Sequence, residues 1–333
     1  MRAGLRSAKR PLLFDYAKAA AKAIFLSRKT PLFVSWILTN RCNYSCAYCH
    51  SRGDISEELT TQQALDFAGR LAGFGTRGVT FTGGEPLMRE DLGKIVDCCA
   101  AQNIAVILNS NGSLIEERIE DVRNITMATL SLDGPQKVHD AVRGKGSFGT
   151  VMRAVDCLRA KRIKVCIGTT LSSVNLSSLD EIFRISKTGK LPVFFQPAEK
   201  YQLRNNELDP ISPSVKEYKH AIEAIIAEKR HNIYIGNSLS GLKHLSYWPD
   251  PHPPLKCFGG NLFVRIDFNG DVKICGRHCG SVVYGNVLHR DFLNIFRDVA
   301  TVVCVNCWCA PRVEFNKAMA FDLGSVSNVL RKF

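Results

Sequence analysis

An α/β fold, built as a closed or partly open β/α barrel, is predicted by three observations. Short apolar runs of strand length alternate with segments of helical spacing six times between residues 31 and 196. Such alternation implies parallel strands joined by right-handed crossovers. The strands read as near-continuous apolar runs, the pattern of a sheet covered on both faces. The glycine pattern GxGxxG is missing from the first strand-to-helix turn, which favours a barrel over two wound halves. The chain has 333 residues, 45% apolar and 23% charged, enough for one large domain and a smaller one.

The elements follow in order. The segment 12–27 reads as a helix with Leu13, Ala17, Ala20 and Ile24 on one face and Asp15, Lys18 and Lys22 off it. It is either docked on the body of the protein or laid on an anionic membrane surface; its alanine-rich face favours docking. LFVSWIL (32–38) is the first strand, and TTQQALDFAGRLAGFG a helix with Thr60 as N-cap. GVTFT (78–82), IAVILNS, MATLSL (127–132), IKVCIGTTL and LPVFFQ (191–196) are the next five strands. REDLGKIVDCCAAQ, LIEERIEDV, the stretch near 135–160 and SLDEIFRISKTG are helices between them. SVKEYKHAIEAIIAEKR (214–230) is a further helix, and YWPDPHPPLK (247–256), with four prolines, reads as a linker. GNLFVRIDFNGDVKIC then gives two strands around an Asn-Gly turn. The expected division is a basic helical arm at 1–30, a barrel at 31–250 and a cysteine-rich α+β domain at 251–333.

Charge and composition narrow the function. The net charge is +13, but residues 1–30 hold eight Lys and Arg against Asp15 alone and supply +7 of it. No basic stripe with interleaved aromatics appears elsewhere, so no nucleic acid is expected as partner. No apolar run reaches the roughly 18 residues of a spanning helix, and no secretory signal is evident. The thirteen cysteines are an odd number and cluster at 42–49 and 257–309. In a chain read as cytoplasmic, that pattern means metal rather than disulfides.

TNRCNYSCAYCHSRG (39–53) sets Cys42, Cys46 and Cys49 in the spacing CxxxCxxC just past the first strand. Loops at that end of the strands carry the chemistry of barrels. Three thiolates there can hold an iron–sulfur cluster with one iron left open for substrate or cofactor, since closed clusters take four. Structural zinc with His50 as fourth ligand is the competing reading. Cys98, Cys99, Cys157 and Cys166 fall inside regular elements and read as small core residues.

The ordered motifs decide between these readings. CxxxCxxC with Tyr48 before the last cysteine, TGGEP (82–86), SNG (110–112), SLDG (131–134) and HDAVRGKGSF (139–148) follow successive strands. Over residues 32–196 the sequence resembles the radical S-adenosylmethionine (SAM) superfamily. The resemblance implies a partial (β/α)6 TIM-like barrel. It implies a [4Fe–4S] cluster on Cys42, Cys46 and Cys49 whose open iron chelates the amino and carboxylate groups of SAM. Gly83, Gly84 and Glu85 would receive the methionine amino group, glycine allowing close backbone approach. Asn111 and Ser131 would bind ribose or carboxylate, Arg143 would face the SAM carboxylate, and Tyr48 would lie by the adenine. One electron from the reduced cluster would cleave SAM to methionine and a 5'-deoxyadenosyl radical, which takes hydrogen from an unactivated C–H bond.

Six more cysteines follow residue 256: Cys257, Cys275, Cys279, Cys304, Cys307 and Cys309. Their spacing resembles the auxiliary-cluster tail of this superfamily called SPASM or, when shorter, twitch. The tail departs from the full pattern: it reads CxxCxC, with Val at 313. One auxiliary [4Fe–4S] cluster is therefore expected, on Cys257, Cys275, Cys304 and Cys307, with Cys279 and Cys309 in reserve. A zinc knot is the alternative.

The expected function is maturation of a peptide or a cofactor precursor, by dehydrogenation or by C–C or C–S bond formation. A low-potential donor such as flavodoxin or ferredoxin would supply the electron. The basic helix 12–27 keeps a lipid or isoprenoid substrate and peripheral membrane contact open. A non-catalytic zinc-binding interaction module is the reading from another class.

Overall fold

The computed structural model describes residues 18, 21–22, 29–49, 57–198, 211–276, 282–301, 303–304 and 307–332. The expected helix at 12–27, apart from Lys18, Ala21 and Lys22, lies outside the described residues, as do His50 and Cys279.

Strand β1 (Phe33–Thr39) is followed by helix α1 (Thr61–Arg70), β2 (Gly78–Gly83), α2 (Leu92–Ala101), β3 (Ala105–Ser110) and β4 (Met127–Ser131). Then come α3 (Gln136–Arg143), α4 (Ser147–Ala160), β5 (Lys164–Leu171), α5 (Leu179–Gly189) and β6 (Val193–Pro197). These six strands are parallel neighbours in chain order, as the alternation predicts. Helix α1 starts where expected: the Thr60 hydroxyl accepts from Gln63 N–H at 3.3 Å, and the Gln63 amide oxygen accepts from Thr60 N–H at 2.9 Å.

The strands are covered unequally. On one face Val34, Trp36, Leu38, Val79, Phe81, Val106 and Leu108 are fully buried under the helices. Trp36 meets Phe67 of α1 edge-on, with centroids 5.1 Å apart, and Phe81 at 5.8 Å. Each such pair adds about 0.5–1.5 kcal/mol beyond area burial. On the other face Ser35, Thr80, Thr82, Asn109, Thr129, Ser131, Thr170 and Gln196 are only partly buried. Apolar cover on both faces was the expectation from the runs. The difference arises because a partial barrel turns one face inward, and that face carries polar side chains interspersed with Ile37, Ile107 and Phe194 instead of helices.

Two predicted helices also differ. LIEERIEDV forms turns and a single 3-10 turn at Ile119–Val122. Arg118 donates to Leu87 O, to Arg89 O at 2.8 Å and to Glu90 O at 3.1 Å, tying the segment down sideways before a second helical turn forms. The stretch 135–160 divides into α3 and α4 at Gly144 and Gly146, whose φ of +110° and +85° break the helical path.

The C-terminal region is woven into the same sheet. It contains α6 (Val215–Lys229), α7 (Leu239–Leu245), β7 (Leu255–Lys256), β8 (Phe263–Ile266), β9 (Asp271–Lys273) and β10 (Gly285–Asn286). After these come α8 (Phe292–Asp298), β11 (Val303–Cys304), α9 (Ala310–Met319) and α10 (Leu323–Lys332). Strand β8 pairs parallel with β1, from Phe33 opposite Phe263 to Trp36 opposite Ile266. β9 and β10 extend the sheet outward to nine strands, and the edge of β1 is covered. β7 and β11 form a separate antiparallel pair. The proline segment 247–256 is packed rather than loose. Trp248 is buried against Tyr218 with centroids 4.6 Å apart, and His252 against His244 and Trp308, because its aromatic side chains find apolar partners.

Candidate active site

The loops after β1, β2, β3 and β4 meet at one end of the sheet, and polar bonds fasten the cysteine loop to each of them. Gly84 N–H donates to Thr39 O and Glu85 N–H to Arg41 O, both at 2.8 Å. That approach needs glycine: a Cβ on Gly84 would sit on the Arg41 carbonyl oxygen, and one on Gly83, at φ +142°, on that of Thr39. Asn111 Nδ2 donates to Asn43 Oδ1 at 3.0 Å, and Asn43 Nδ2 to Ser113 Oγ at 2.8 Å. Ala47 N–H reaches Val142 O of α3 at 3.0 Å.

The thiols receive N–H donors. Cys42 Sγ lies 3.5 Å from Tyr44 N and 3.9 Å from Asn111 Nδ2, and Cys46 Sγ lies 3.7 Å from Arg143 Nη1. Donors aimed at sulfur suit thiolate ligands of an iron–sulfur cluster. Burial raises the pKa of the Cys46 thiol, while the Arg143 cation pulls it down. Among the described residues no three Cys, His, Asp or Glu side chains close on a single ion.

Two carboxylates organise the floor. Glu85 is fully buried; it accepts from Ser110 Oγ at 2.9 Å, Asn111 N at 2.8 Å and Leu87 N at 3.2 Å. Burial pushes its pKa up to about 7 despite those donors. Asp133, also fully buried, accepts from Arg143 Nε at 2.6 Å, Tyr48 Oη at 2.7 Å and Thr170 N at 3.0 Å. Arg143 also donates to Tyr48 Oη and lies over its ring at 5.4 Å. Burial works against the Arg143 cation, but Asp133, Tyr48 and Cys46 together more than offset it. Burial raises the pKa of the Tyr48 hydroxyl well above its usual value. The structure thus brings Tyr48 and Arg143 together on a carboxylate. Ser131 ends β4 at the same mouth, opposite Gly168 of β5.

Several residues of this site escaped the sequence reading. Asp133 sits inside the quoted SLDG motif, and its signal was a carboxylate directly after a buried strand. His139, in HDAVRG, is buried; its Nδ1 accepts from Asp133 N at 3.1 Å, and its Nε2 meets no hydrogen-bond partner among the described residues. Burial takes its pKa down to about 4. Arg89, bidentate on Asp91 at 2.9 and 2.6 Å and donating to Leu38 O and Leu59 O, anchors the end of β1 from below. Glu58 bridges the Thr39 hydroxyl and Arg41. No local pattern marks Arg89 and Glu58 as parts of the site, because the carbonyls of Leu38 and Leu59 and the Thr39 hydroxyl that they reach lie far along the chain.

The second cysteine group is spread over four elements. Cys257 follows β7, Cys275 follows β9, and Cys304 lies in β11, opposite Leu255. Cys307 and Cys309 precede α9, and Cys309 is its N-cap. Cys257 Sγ accepts from Gly259 N at 3.4 Å. A Cβ on Gly259 would lie 2.7 Å from Ile274, next to Cys275, so the stretches carrying Cys257 and Cys275 run side by side. Cys98, Cys99, Cys157 and Cys166 are packed in or against the core, as expected.

A parallel partial barrel with a cysteine loop at its mouth defines a class of cofactor-dependent enzymes. Residues 36–185 match the Radical SAM superfamily. The chain is 28% identical to the Fe-coproporphyrin III synthase of Methanosarcina barkeri over 314 residues, covering 86% of this chain and 78% of that protein. It is 32% identical to the mycofactocin maturase MftC of Mycobacterium tuberculosis over 252 residues, 74% of this chain and 64% of that one. The structure of Streptococcus suis SuiB bound to S-adenosylmethionine superposes with a TM-score of 0.65 at 15% identity, covering 84% of this chain and 69% of that one. At that identity the likeness shows the fold. Residues 36–185 thus carry a Radical SAM domain, and the chain is an enzyme of the kind that uses a [4Fe–4S] cluster and SAM, not a non-catalytic zinc module. Among the described residues no helix is long and apolar enough to cross a membrane.

Proposed function

We propose that this enzyme matures a cofactor precursor or peptide, binding its SAM-cleaving [4Fe–4S] cluster through Cys42, Cys46 and Cys49. The observation that carries the assignment is the fastening of that loop between Glu85 and the Asp133–Arg143–Tyr48 group, with N–H donors on two of its sulfurs. When bound, the cluster supplies the electron that splits SAM to methionine and a 5'-deoxyadenosyl radical, drawn from a flavodoxin- or ferredoxin-like donor. The protein's own part is positioning and exclusion of water. Glu85 receives the methionine ammonium, whose charge stabilises the ionised carboxylate the pocket otherwise disfavours. The Gly83-Gly84 turn lets the backbone approach the same group. Asn111 and Ser131 bind ribose or carboxylate, Arg143 presents its remaining donors to the SAM carboxylate, and Tyr48 flanks the adenine. The half-buried polar face of β1–β6 contains the substrate. Residues 251–333, whose strands β8–β10 continue the barrel's sheet, hold one auxiliary [4Fe–4S] cluster on Cys257, Cys275, Cys304 and Cys307.

Relatives named for tetrapyrrole and for mycofactocin chemistry both support maturation and give the substrate panel. The test is anaerobic turnover with SAM and dithionite against tetrapyrrole precursors of Fe-coproporphyrin III and against a mycofactocin-type precursor peptide. Deoxyadenosine formation that Cys46→Ala abolishes, with product from either substrate, is the expected result. Cleavage of SAM by Cys46→Ala would overturn the cluster assignment.

A further inference from the structure

Two imidazoles grip the backbone of one residue, Cys307, in the auxiliary cysteine segment. Cys307 N–H donates to His252 Nε2 at 3.0 Å, and Cys307 C=O lies 3.0 Å from His244 Nε2. Partner chemistry fixes both tautomers. His252 Nδ1 is 2.6 Å from Pro253 O, an acceptor only, so Nδ1 carries the proton and Nε2 presents its lone pair. His244 Nε2 faces a carbonyl and must carry its proton. The rings lie tilted at 51° with centroids 3.9 Å apart, and Trp308 packs on both at 5.9 and 5.2 Å. His244, His252 and Trp308 are buried. Just beyond, Cys309 O accepts from Arg312 N and Val313 N, both at 2.9 Å, as α9 begins. Cys307 is thus fixed from both sides by groups outside its own segment. Cys257 is held similarly: Asn316 of α9, itself buried, accepts from Phe258 N at 3.0 Å.

We propose that His244 and His252 are positioning residues that preset the Cys307 backbone, so that Cys307 rather than Cys309 ligates the auxiliary cluster. The proposal rests on the auxiliary cluster assigned above. Groups that orient a ligand before the metal arrives raise affinity for it, and their loss costs tenfold or more. Neither histidine lies in the machinery at the barrel mouth, so SAM cleavage there is independent of them.

The test uses the full chain with His244→Leu, His252→Leu, Cys309→Ala, and the rescue variants His244→Gln and His252→Gln. An amide can supply the donor or acceptor at the place of Nε2. After anaerobic reconstitution, wild type and Cys309→Ala should hold about eight irons per chain and each leucine variant about four. The auxiliary signal in electron paramagnetic resonance should fall while SAM cleavage persists, and the glutamine variants should recover both iron and signal. In the metal-free chain, Cys307 amide exchange should accelerate about tenfold in His252→Leu, while amides of the β1–β6 sheet keep their protection. Faster Cys307 exchange with iron count and signal unchanged would overturn the proposal, as would loss of the auxiliary signal in Cys309→Ala. A wild-type chain that takes up only about four irons would instead sink the auxiliary-cluster reading, and the proposal with it.

Discussion

Asp133 is the residue on which the site's stability turns, and replacing it with Asn isolates one quantity. The side chain keeps its shape and can still accept from Thr170 N at 3.0 Å, but the charge that faces Arg143 Nε at 2.6 Å is gone. The Asp133 side chain is wholly buried and that of Arg143 is 9% exposed, so water cannot replace the lost partner. Leaving one member of a buried pair uncompensated costs about 3–5 kcal/mol. The retained bond to Thr170 and the Tyr48 hydroxyl still beside Arg143 place Asp133→Asn near the lower end, about 3 kcal/mol. Removing both charges, in Asp133→Asn with Arg143→Gln, should return most of that loss, to within about 1 kcal/mol of wild type. The assay is urea titration followed by fluorescence of the buried Trp36, Trp248 and Trp308. With a slope of about 3 kcal/mol/M, the single variant should shift the midpoint down by about 1 M. If Asp133→Asn unfolds with wild type, or if the two losses simply add, the pair is not the desolvated unit described here.

Further outcomes follow from neighbouring residues. Cys275→Ala should retain SAM cleavage but lose about four irons and product formation, read by iron analysis and chromatography of deoxyadenosine; loss of nothing would remove Cys275 from the auxiliary set. Glu85 has its folded pKa raised from 4.5 to about 7 by burial, so the ligand-free protein holds that proton more tightly than the unfolded chain. Stability from this group is full below the unfolded pKa and falls by about 3 kcal/mol as pH rises through about 7. SAM affinity should run the other way, rising with pH up to about 7 in equilibrium dialysis, and Glu85→Gln should flatten that profile. Gly84→Ala forces a methyl against the Arg41 carbonyl and should cost about 3 kcal/mol and SAM binding together; normal dialysis by a stable variant would contradict the close approach.

The architecture was legible in the sequence wherever periodicity decided it. Strands of five to eight residues formed within a residue or two of expectation and the Thr60 cap was read correctly, while the helix after β1 stops at Arg70, short of the expected stretch to residue 75. LIEERIEDV failed as a helix because Arg118 found carbonyls on the loop after β2, thirty residues upstream, which no local pattern encodes. The proline segment 247–256 reads as a linker by composition, yet its Trp248 and His252 are buried by partners at Tyr218, His244 and Trp308. The spacing of Cys42, Cys46 and Cys49, and the order of motifs behind successive strands, came from the chain itself. They are local, because a loop of eight residues holds all three thiols whatever surrounds it.

What the fold alone decided is which side chains meet. Asp133 joins Tyr48, eighty-five positions away, to Arg143, and Glu85 gathers donors from the turn after β3. The C-terminal strands extend the barrel's sheet through β8, and two histidines reach Cys307 from 55 and 63 residues upstream. Residue type and spacing specify which groups a chain can offer. Burial and long-range pairing decide which of them are charged, which are held in place and which face one another, because those energies exist only after distant segments have excluded water together.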